Sequence, residues 1–384
     1  MRFSDLLRIA AENDASDLYL IPESPLIMRV LDFSKEEMIP IGETSLTSSQ
    51  IEQLAGSITN ADQKADFDRG LELDFAYEDK GMGRFRINLY RSHLGTSMVC
   101  RLVRSKIPTI DELGLPPVLK DLAMEERGLI LIVGSVGSGK SSTLAAMLDH
   151  RNIHRSGHIL TVEDPLEFLH EHKRSLVSQR EVGIDTESYS SGLKNVLRQA
   201  PDVIAIGEIR DLETMSAAIH FAETGHLLLS TLHSTNSHQA LERIINFYPS
   251  EFRQNILLQL SLNLKAIVSQ RLIPRVDGTG QIAAVGVLRD TPRIKDLIAK
   301  EDIGSIASAV EERNREGMLS IDQSIYSLYE RKIITAEDAL RFADSPNNMG
   351  IRIRRLENTL RQQEEADKLR QPRKPADELH SLQR

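Results

Sequence analysis

Residues 128–150 read GLILIVGSVGSGKSSTLAAMLDH, and this stretch decides the fold. The apolar run Leu129–Val133 leads into GSVGSGKS, Gly134 to Ser141, which fits the pattern Gly-x-x-x-x-Gly-Lys-[Ser/Thr]; a helix-forming segment follows at once. A strand, a glycine-rich loop and a helix in that order are what phosphate binding requires. Gly134, Gly137 and Gly139 let the backbone curl so that successive N–H groups converge on phosphate oxygens, and the helix N-terminus adds its positive dipole end. Ser135, Val136, Ser138 and Ser142 complete the candidate nucleotide loop. Lys140 is the expected contact of the β- and γ-phosphates, and the Ser141 hydroxyl the expected Mg²⁺ ligand. The reading is a site for ATP or GTP.

Working outward from the loop, the runs LILIVG, HILTVED, DVIAIGE and HLLLSTLH alternate with helical stretches. That rhythm predicts an α/β domain with a wound parallel sheet covered on both faces. From Pro292 to Ala343 the apolar periodicity is helical, which predicts a helical cap. The first hundred residues mix elements: an amphipathic opening helix with Phe3, Leu6, Leu7 and Ala10 on one face, a second helix near Gln50 to Ile58, and strands in DLYLI, LIMRV, ELDFAY, GRFRINLYR and TSMVCRLV. The mixture predicts a smaller α+β domain. The expected division is residues 1–103, a Pro-containing linker 104–117, the sheet domain 118–350, and a charged tail 351–384 that is helical at first, with Ile353, Leu356 and Leu360 in step, and disordered later. The tail holds nine Lys/Arg against six Asp/Glu, the charge balance of a solvated extension or of a docking element for a partner ring or an acidic membrane surface.

Across all 384 residues the net charge is −9 and the pI about 5.7, which argues against a dedicated nucleic-acid binder. The single cysteine, Cys100, excludes an internal disulfide framework and fits a reducing compartment. No run approaches the ~20 apolar residues needed to span a bilayer, so a cytoplasmic protein is expected, held at a membrane only by a partner.

Two apolar strands end in carboxylates. HILTVEDPLEF delivers Glu163 and Asp164 before Pro165, and VIAIGEIRD delivers Glu208, preceded by Gly207. Ligands of wound α/β sheets sit at the carboxyl ends of the strands, so both glutamates are expected beside the nucleotide. One of them can act as general base towards the attacking water, the other hold Mg²⁺ directly or through water. His226 and His233 flank LLLSTL; seven residues apart, they point to opposite faces and form no two-histidine metal pair. Spacing leaves their roles open between hydrogen bonding within the fold and catalysis.

Together GSVGSGKSSTLAAM, HILTVEDPLEF, LRQAPDVIAIGEIRD and AETGHLLLSTLH resemble the four ordered motifs of the secretion-ATPase superfamily. ASDLYL, GRFRINLYR, PTIDELGLPPVL and GMLSIDQSIYSLY extend the likeness from about residue 15 to about 350. Within it, the chain is similar to the type IV pilus retraction ATPases of the PilT/PilU family. SQREVGIDTESY, LRQAPD and the long tail lean to the PilU branch, and one cysteine in 384 residues excludes the longer extension motors with a four-cysteine zinc element. Tyr19 and Val136 depart from commoner family residues, and VLDFSKEEMIPIG makes a longer turn.

The resemblance implies a PAS-like domain joined to a RecA-like P-loop ATPase domain, a homo-hexamer, ATP and Mg²⁺, a paralogous retraction ATPase, an inner-membrane pilus platform protein, and no nucleic acid. It implies that Glu163 is the catalytic glutamate, Glu208 the acid at the metal, and His226 and His233 the residues of the family's histidine motif. It also implies that arginines of the N-terminal domain reach the nucleotide, with Arg84, Arg86 and Arg101 at fitting positions. Two other readings are an accessory subunit acting only through a paralogue, and a nucleic-acid translocase.

Overall fold

Alternation along GRFRINLYR explains the first domain: Phe85, Ile87 and Leu89 are buried, while Arg84, Arg86 and Asn88 point to the other face. The computed structural model describes residues 2–13, 15–32, 35–79, 83–103, 106–312 and 317–370. Among these, β1 (Ala15–Leu20), β2 (Pro25–Asp32), β3 (Lys35–Ser45), β4 (Glu72–Asp79), β5 (Gly83–Ser92) and β6 (Gly95–Val103) form an antiparallel sheet ordered β3-β2-β1-β6-β5-β4. Helices Phe3–Glu12, Ser48–Gly56 and Ala61–Gly70 cover one face, packing Leu6, Leu7, Ile51 and Phe67 against Leu18, Phe85, Ile87 and Met98. The opposite face carries Arg84, Arg86 and Arg101; Arg86 and Arg101 are register partners on β5 and β6.

The second sheet contains β7 (Gly128–Val133), β8 (Gly157–Glu163), β9 (Ser175–Glu181), β10 (Val203–Ile206), β11 (Leu227–Leu232), β12 (Leu264–Pro274) and β13 (Gln281–Arg289). Its order is β13-β12-β7-β11-β10-β8-β9, parallel except for β13. Every residue of β7 is buried because both faces are covered. Leu129, Leu131 and Val133 join one core cluster, and Ile130 and Ile132 join the other with Leu144, Met147 and Leu148 of the helix Lys140–His154. Helices Pro292–Ala299, Ile306–Glu312, Ile321–Glu330 and Ala336–Phe342 follow, in line with the helical periodicity of that region.

Several elements differ from the sequence reading. The second helix runs from Ser48 to Gly56, two residues earlier than expected, because Thr47 caps it: the Thr47 side chain accepts from the Gln50 N–H, and Gln50 answers on the Thr47 N–H at 2.8 Å. A further helix, Ala61–Gly70, is built in the same way on Asn60 and Gln63. The stretch read as a long turn contains β3, an edge strand, and β9, β12 and β13 enlarge the second sheet. In the expected linker, Ile110 and Leu115 are buried against Leu119 and the sheet core. The helix Pro346–Arg370 carries the tail outward, with Ile353 buried and Leu360 exposed; residues 371–384 lie outside the described residues. Among the described residues no helix is long and apolar enough to cross a membrane.

Candidate nucleotide site

Parallel pairing in register brings four strand ends to one edge. Val133 of β7 pairs with Leu232 of β11, and Ile206 of β10 pairs with both Ser230 of β11 and Val162 of β8. The residues just beyond these positions are Gly134, His233, Gly207 and Glu163. A cavity of about 280 Å³ opens there, lined by Lys140, Ser141, Glu163, Glu208 and His233 among others.

The loop has the backbone shape that phosphate binding requires. Gly137 and Gly139 have φ of +75° and +86°, the left-handed region that glycine adopts freely. Gly134 is held by space instead: a Cβ there would fall 2.2 Å from Ser138 Oγ and 2.6 Å from the Gln270 carbonyl. Ser138 is buried, and its Oγ has no hydrogen-bond partner among the described residues. Val136 stands exposed at the loop tip and lines the cavity with Gly137, whereas Ser142, half-buried, does not reach it. Thr143 anchors the helix to β12 by donating to Gln270 Oε1 at 2.7 Å.

Lys140 folds back over the loop, its Nζ donating to the carbonyls of Gly134 at 3.0 Å and Ser135 at 2.9 Å. Burial holds its pKa below the usual lysine value, with Glu208 opposing the shift. His233 lies between these groups, Nδ1 3.4 Å from Lys140 Nζ and Nε2 3.1 Å from Glu208 Oε1. Glu208 Oε2 accepts from Arg210 Nε at 2.9 Å, and Arg210 continues to Asp164 at 3.5 Å. A polar chain therefore runs Lys140, His233, Glu208, Arg210, Asp164 along the cavity wall.

Glu163 ends β8. Its Oε1 accepts from Thr161 Oγ1 at 2.7 Å and from Gln179 Nε2 at 3.3 Å. Burial pushes this carboxyl up to about 7, against those two hydrogen bonds. Gly207 answers the question posed by a strand ending in Gly-Glu. A Cβ at 207 would meet Tyr189 Oη at 3.0 Å and Glu163 Cα at 3.1 Å, so the absent side chain makes room for β8 and Tyr189.

The remaining expected residues lie elsewhere. His226 precedes β11 at the opposite edge of the sheet, where its carbonyl accepts from Gly128 N–H at 3.0 Å. β11 does neighbour the loop strand, but parallel pairing puts the two histidines at opposite strand ends, so His226 does not sit beside His233 in this chain. Arg84 donates to Glu181 of β9 at 2.9 Å; Arg86 pairs with Asp74 and lies 3.8 Å from Glu181; Arg101 donates to Asp17 at 2.8 Å. None of the three lines the cavity within this chain, although Asp164 acts electrostatically on Arg86 and Glu167 on Arg101. The sequence reading did not assign Thr161, Gln179, Tyr189 or Arg210. Arg210, two residues past Glu208 in GEIRD, was visible as a basic residue at a strand end; the others become apparent only through register.

The donor set suits Mg²⁺: Ser141 offers a hydroxyl and Glu208 a carboxylate, hard oxygen ligands of the sort that share magnesium with water and phosphate. Among the described residues no cluster of three or more His, Cys, Asp or Glu forms a closed metal cage, so any ion here depends on the nucleotide for its other ligands.

A phosphate loop on an interior strand of a wound sheet, with two glutamates and a histidine at neighbouring strand ends, defines a P-loop nucleotide-binding protein. Residues 4–314 match the family described as Type II/IV secretion system protein. The chain is 44% identical over 354 residues to the type IV pilus ATPase PilU of Pseudomonas aeruginosa, covering 92% of each chain. It is 39% identical to the type IV pilus retraction ATPase PilT of the same organism, covering 91% of this chain and all of that one. The crystal structure of the pilus retraction motor PilT with bound ADP superposes with a TM-score of 0.82 at 34% identity, covering 91% of this chain and 98% of that one. The chain belongs to the Type II/IV secretion system ATPase family, in its PilT/PilU group and on the PilU side of it.

Proposed function

We propose that this protein is an ATP-hydrolysing subunit of a hexameric ring that drives or assists type IV pilus retraction by turning an inner-membrane platform protein. The observation that supports this most is the meeting of Lys140, Ser141, Glu163, Glu208 and His233 round one cavity, in a chain 44% identical to PilU along 92% of its length. Residues 1–103 are taken as the PAS-like domain, 118–350 as the RecA-like motor domain, 104–117 as their connection and 351–384 as a tail. The ring works in the cytoplasm against the inner membrane, beside a paralogous retraction ATPase and without nucleic acid.

In this mechanism Lys140 exchanges the carbonyls of Gly134 and Ser135 for phosphate oxygens, whose negative charge opposes the downward pull of burial on its pKa. Ser141 and Glu208 would hold Mg²⁺, which would supply charge neutralisation at the phosphates. Water attacks the γ-phosphorus, its proton passes to the Glu163 carboxylate, and the bond to the β-phosphate oxygen breaks to leave ADP. A base poised near 7 suits that task at neutral pH. His233 links the γ-phosphate side, through Lys140, to Glu208. ATP lies between the two domains of one subunit and the adjacent subunit, and it is across that interface, not within one chain, that Arg84, Arg86 or Arg101 would reach the developing charge and tie hydrolysis to domain rotation.

Lys140→Ala should abolish turnover; retained Mg²⁺-dependent ATPase activity in that variant would sink the reading. Pilus retraction measured with this chain as the sole retraction motor separates a motor from an accessory subunit, and ATPase activity stimulated by DNA would revive a translocase.

A further inference from the structure

The side chain of Glu163 is fixed by the sheet itself. Thr161 and Gln179 are register partners on the parallel strands β8 and β9, and parallel partners point to the same face. Glu163, two residues beyond Thr161, shares that face, the one packed by the helix Lys140–His154. Both neighbours therefore reach the same oxygen, Oε1, at 2.7 and 3.3 Å. Among the described residues no other side chain donates to this carboxyl.

Gln179 is itself locked. Its Oε1 accepts from the His170 N–H at 2.8 Å, while its Nε2 donates to the Phe168 carbonyl at 2.9 Å as well as to Glu163. One backbone donor and one backbone acceptor thus dictate which way the amide points. The amide nitrogen is the end that faces Glu163, so Gln179 favours the carboxylate over the carboxylic acid. Thr161 is fully buried, with its hydroxyl directed to the same oxygen.

We propose that Thr161 and Gln179 are the positioning residues of the general base: they grip Glu163 by Oε1, keep it ionised, and turn the carboxylate so that the cavity receives its accepting edge. The proposal rests on the reading of Glu163 as base. The charged and titratable groups round it are Asp164 and Glu167 on the following loop, Glu181 with Arg84 and Arg86 at the end of β9, Glu208 with Arg210 and His233, Lys140, Tyr189, and His170, which burial holds neutral with a pKa of about 4. Burial and the charge of Glu167 favour protonation of this carboxyl; the two neutral side-chain donors, with the Glu167 backbone N–H, oppose it.

The test is the pH dependence of steady-state ATP hydrolysis by the full-length protein, comparing wild type, Thr161→Val, Thr161→Ser, Gln179→Leu and Glu163→Gln. Loss of either donor should move the acid limb of kcat upward by about one pH unit, roughly a tenfold loss on that limb. The alkaline plateau should stay within about twofold and KM within about threefold of wild type. Thr161→Ser, which keeps the hydroxyl, should retain the wild-type profile. Loss of kcat by the same factor at every pH, or an unmoved acid limb in both Thr161→Val and Gln179→Leu, overturns the positioning role. Glu163→Gln that still turns over ATP overturns the base reading beneath it, so the two failures are distinct.

Discussion

Arg84 of the N-terminal sheet donates to Glu181, the last residue of β9, across 2.9 Å, and Glu181 is almost wholly buried there. Burial raises the pKa of this carboxyl, while Arg84 and Arg86 oppose the rise. The ion pair is thus a fixed point between the first domain and the nucleotide-binding sheet, one strand away from Glu163, whose register partner is Glu181.

Removing one partner of a buried pair leaves an uncompensated charge. Arg84→Ala should therefore destabilise the protein by about 2–3 kcal/mol, somewhat below the usual range for such losses because Arg86 remains 3.8 Å from Glu181. Glu181→Gln should recover much of this in the double variant. Denaturant unfolding of the four proteins should give a coupling of about 1–2 kcal/mol. Strict additivity would show that the contact carries no energy.

Glu163 makes stability depend on pH in a definite direction. Its carboxyl titrates near 4.5 when unfolded and about 7 when folded. The folded state binds that proton more tightly, so the contribution favours folding fully below pH about 4.5 and is lost as pH rises through 7. Glu163→Gln lacks the cost that the wild type carries above pH 7. The variant should be more stable by about 2 kcal/mol at pH 8, a figure reduced for the solvent still reaching the group, with the gap closing below pH about 4.5. Thermal unfolding across that range checks it, and a gap of constant size would contradict it.

His233 is the one histidine of its pair that touches the charged wall of the cavity, between Lys140 and Glu208. His233→Ala should lower kcat by about 10- to 100-fold while nucleotide affinity changes by less than about threefold. Nucleotide binding by fluorescence alongside turnover separates the two. A large loss of affinity with kcat kept would assign His233 to binding alone.

The loop and the four strands round it were legible because buried parallel strands read as apolar runs and the glycine pattern is dense. The flanking strands were not. β9 reads SLVSQRE, with Gln179 and Glu181 turned inward to polar partners, and β12 reads LKAIVSQRLIP, with Gln270 buried where it meets Thr143. Buried polar residues that satisfy one another over long sequence distances erase the apolar signal of a strand. For the same reason Thr161 and Gln179 escaped notice: their meaning lies in the pairing of β8 with β9, which no local pattern announces. His226 shows the converse, since a motif spaced along one strand places its two ends at opposite edges of the sheet.

Gly207 is not in the left-handed region, so its substitution tests space alone. An added methyl would stand 3.0 Å from Tyr189 Oη and 3.1 Å from Glu163 Cα, tighter than ordinary contact on both sides. Tyr189 can yield only by moving a half-buried ring whose hydroxyl is buried without a hydrogen-bond partner among the described residues. Glu163 can yield only by moving the end of β8, which carries the base. Gly207→Ala should cost about 1–2 kcal/mol of stability and lower kcat by about tenfold or more, with KM less affected. Because Oη is one of the two crowded atoms, Tyr189→Phe in the same chain should restore part of the stability yet leave most of the kcat loss. The reason is that the Glu163 backbone stays displaced. Full recovery of kcat in the double variant would locate the strain at Tyr189 and remove Glu163 from the account.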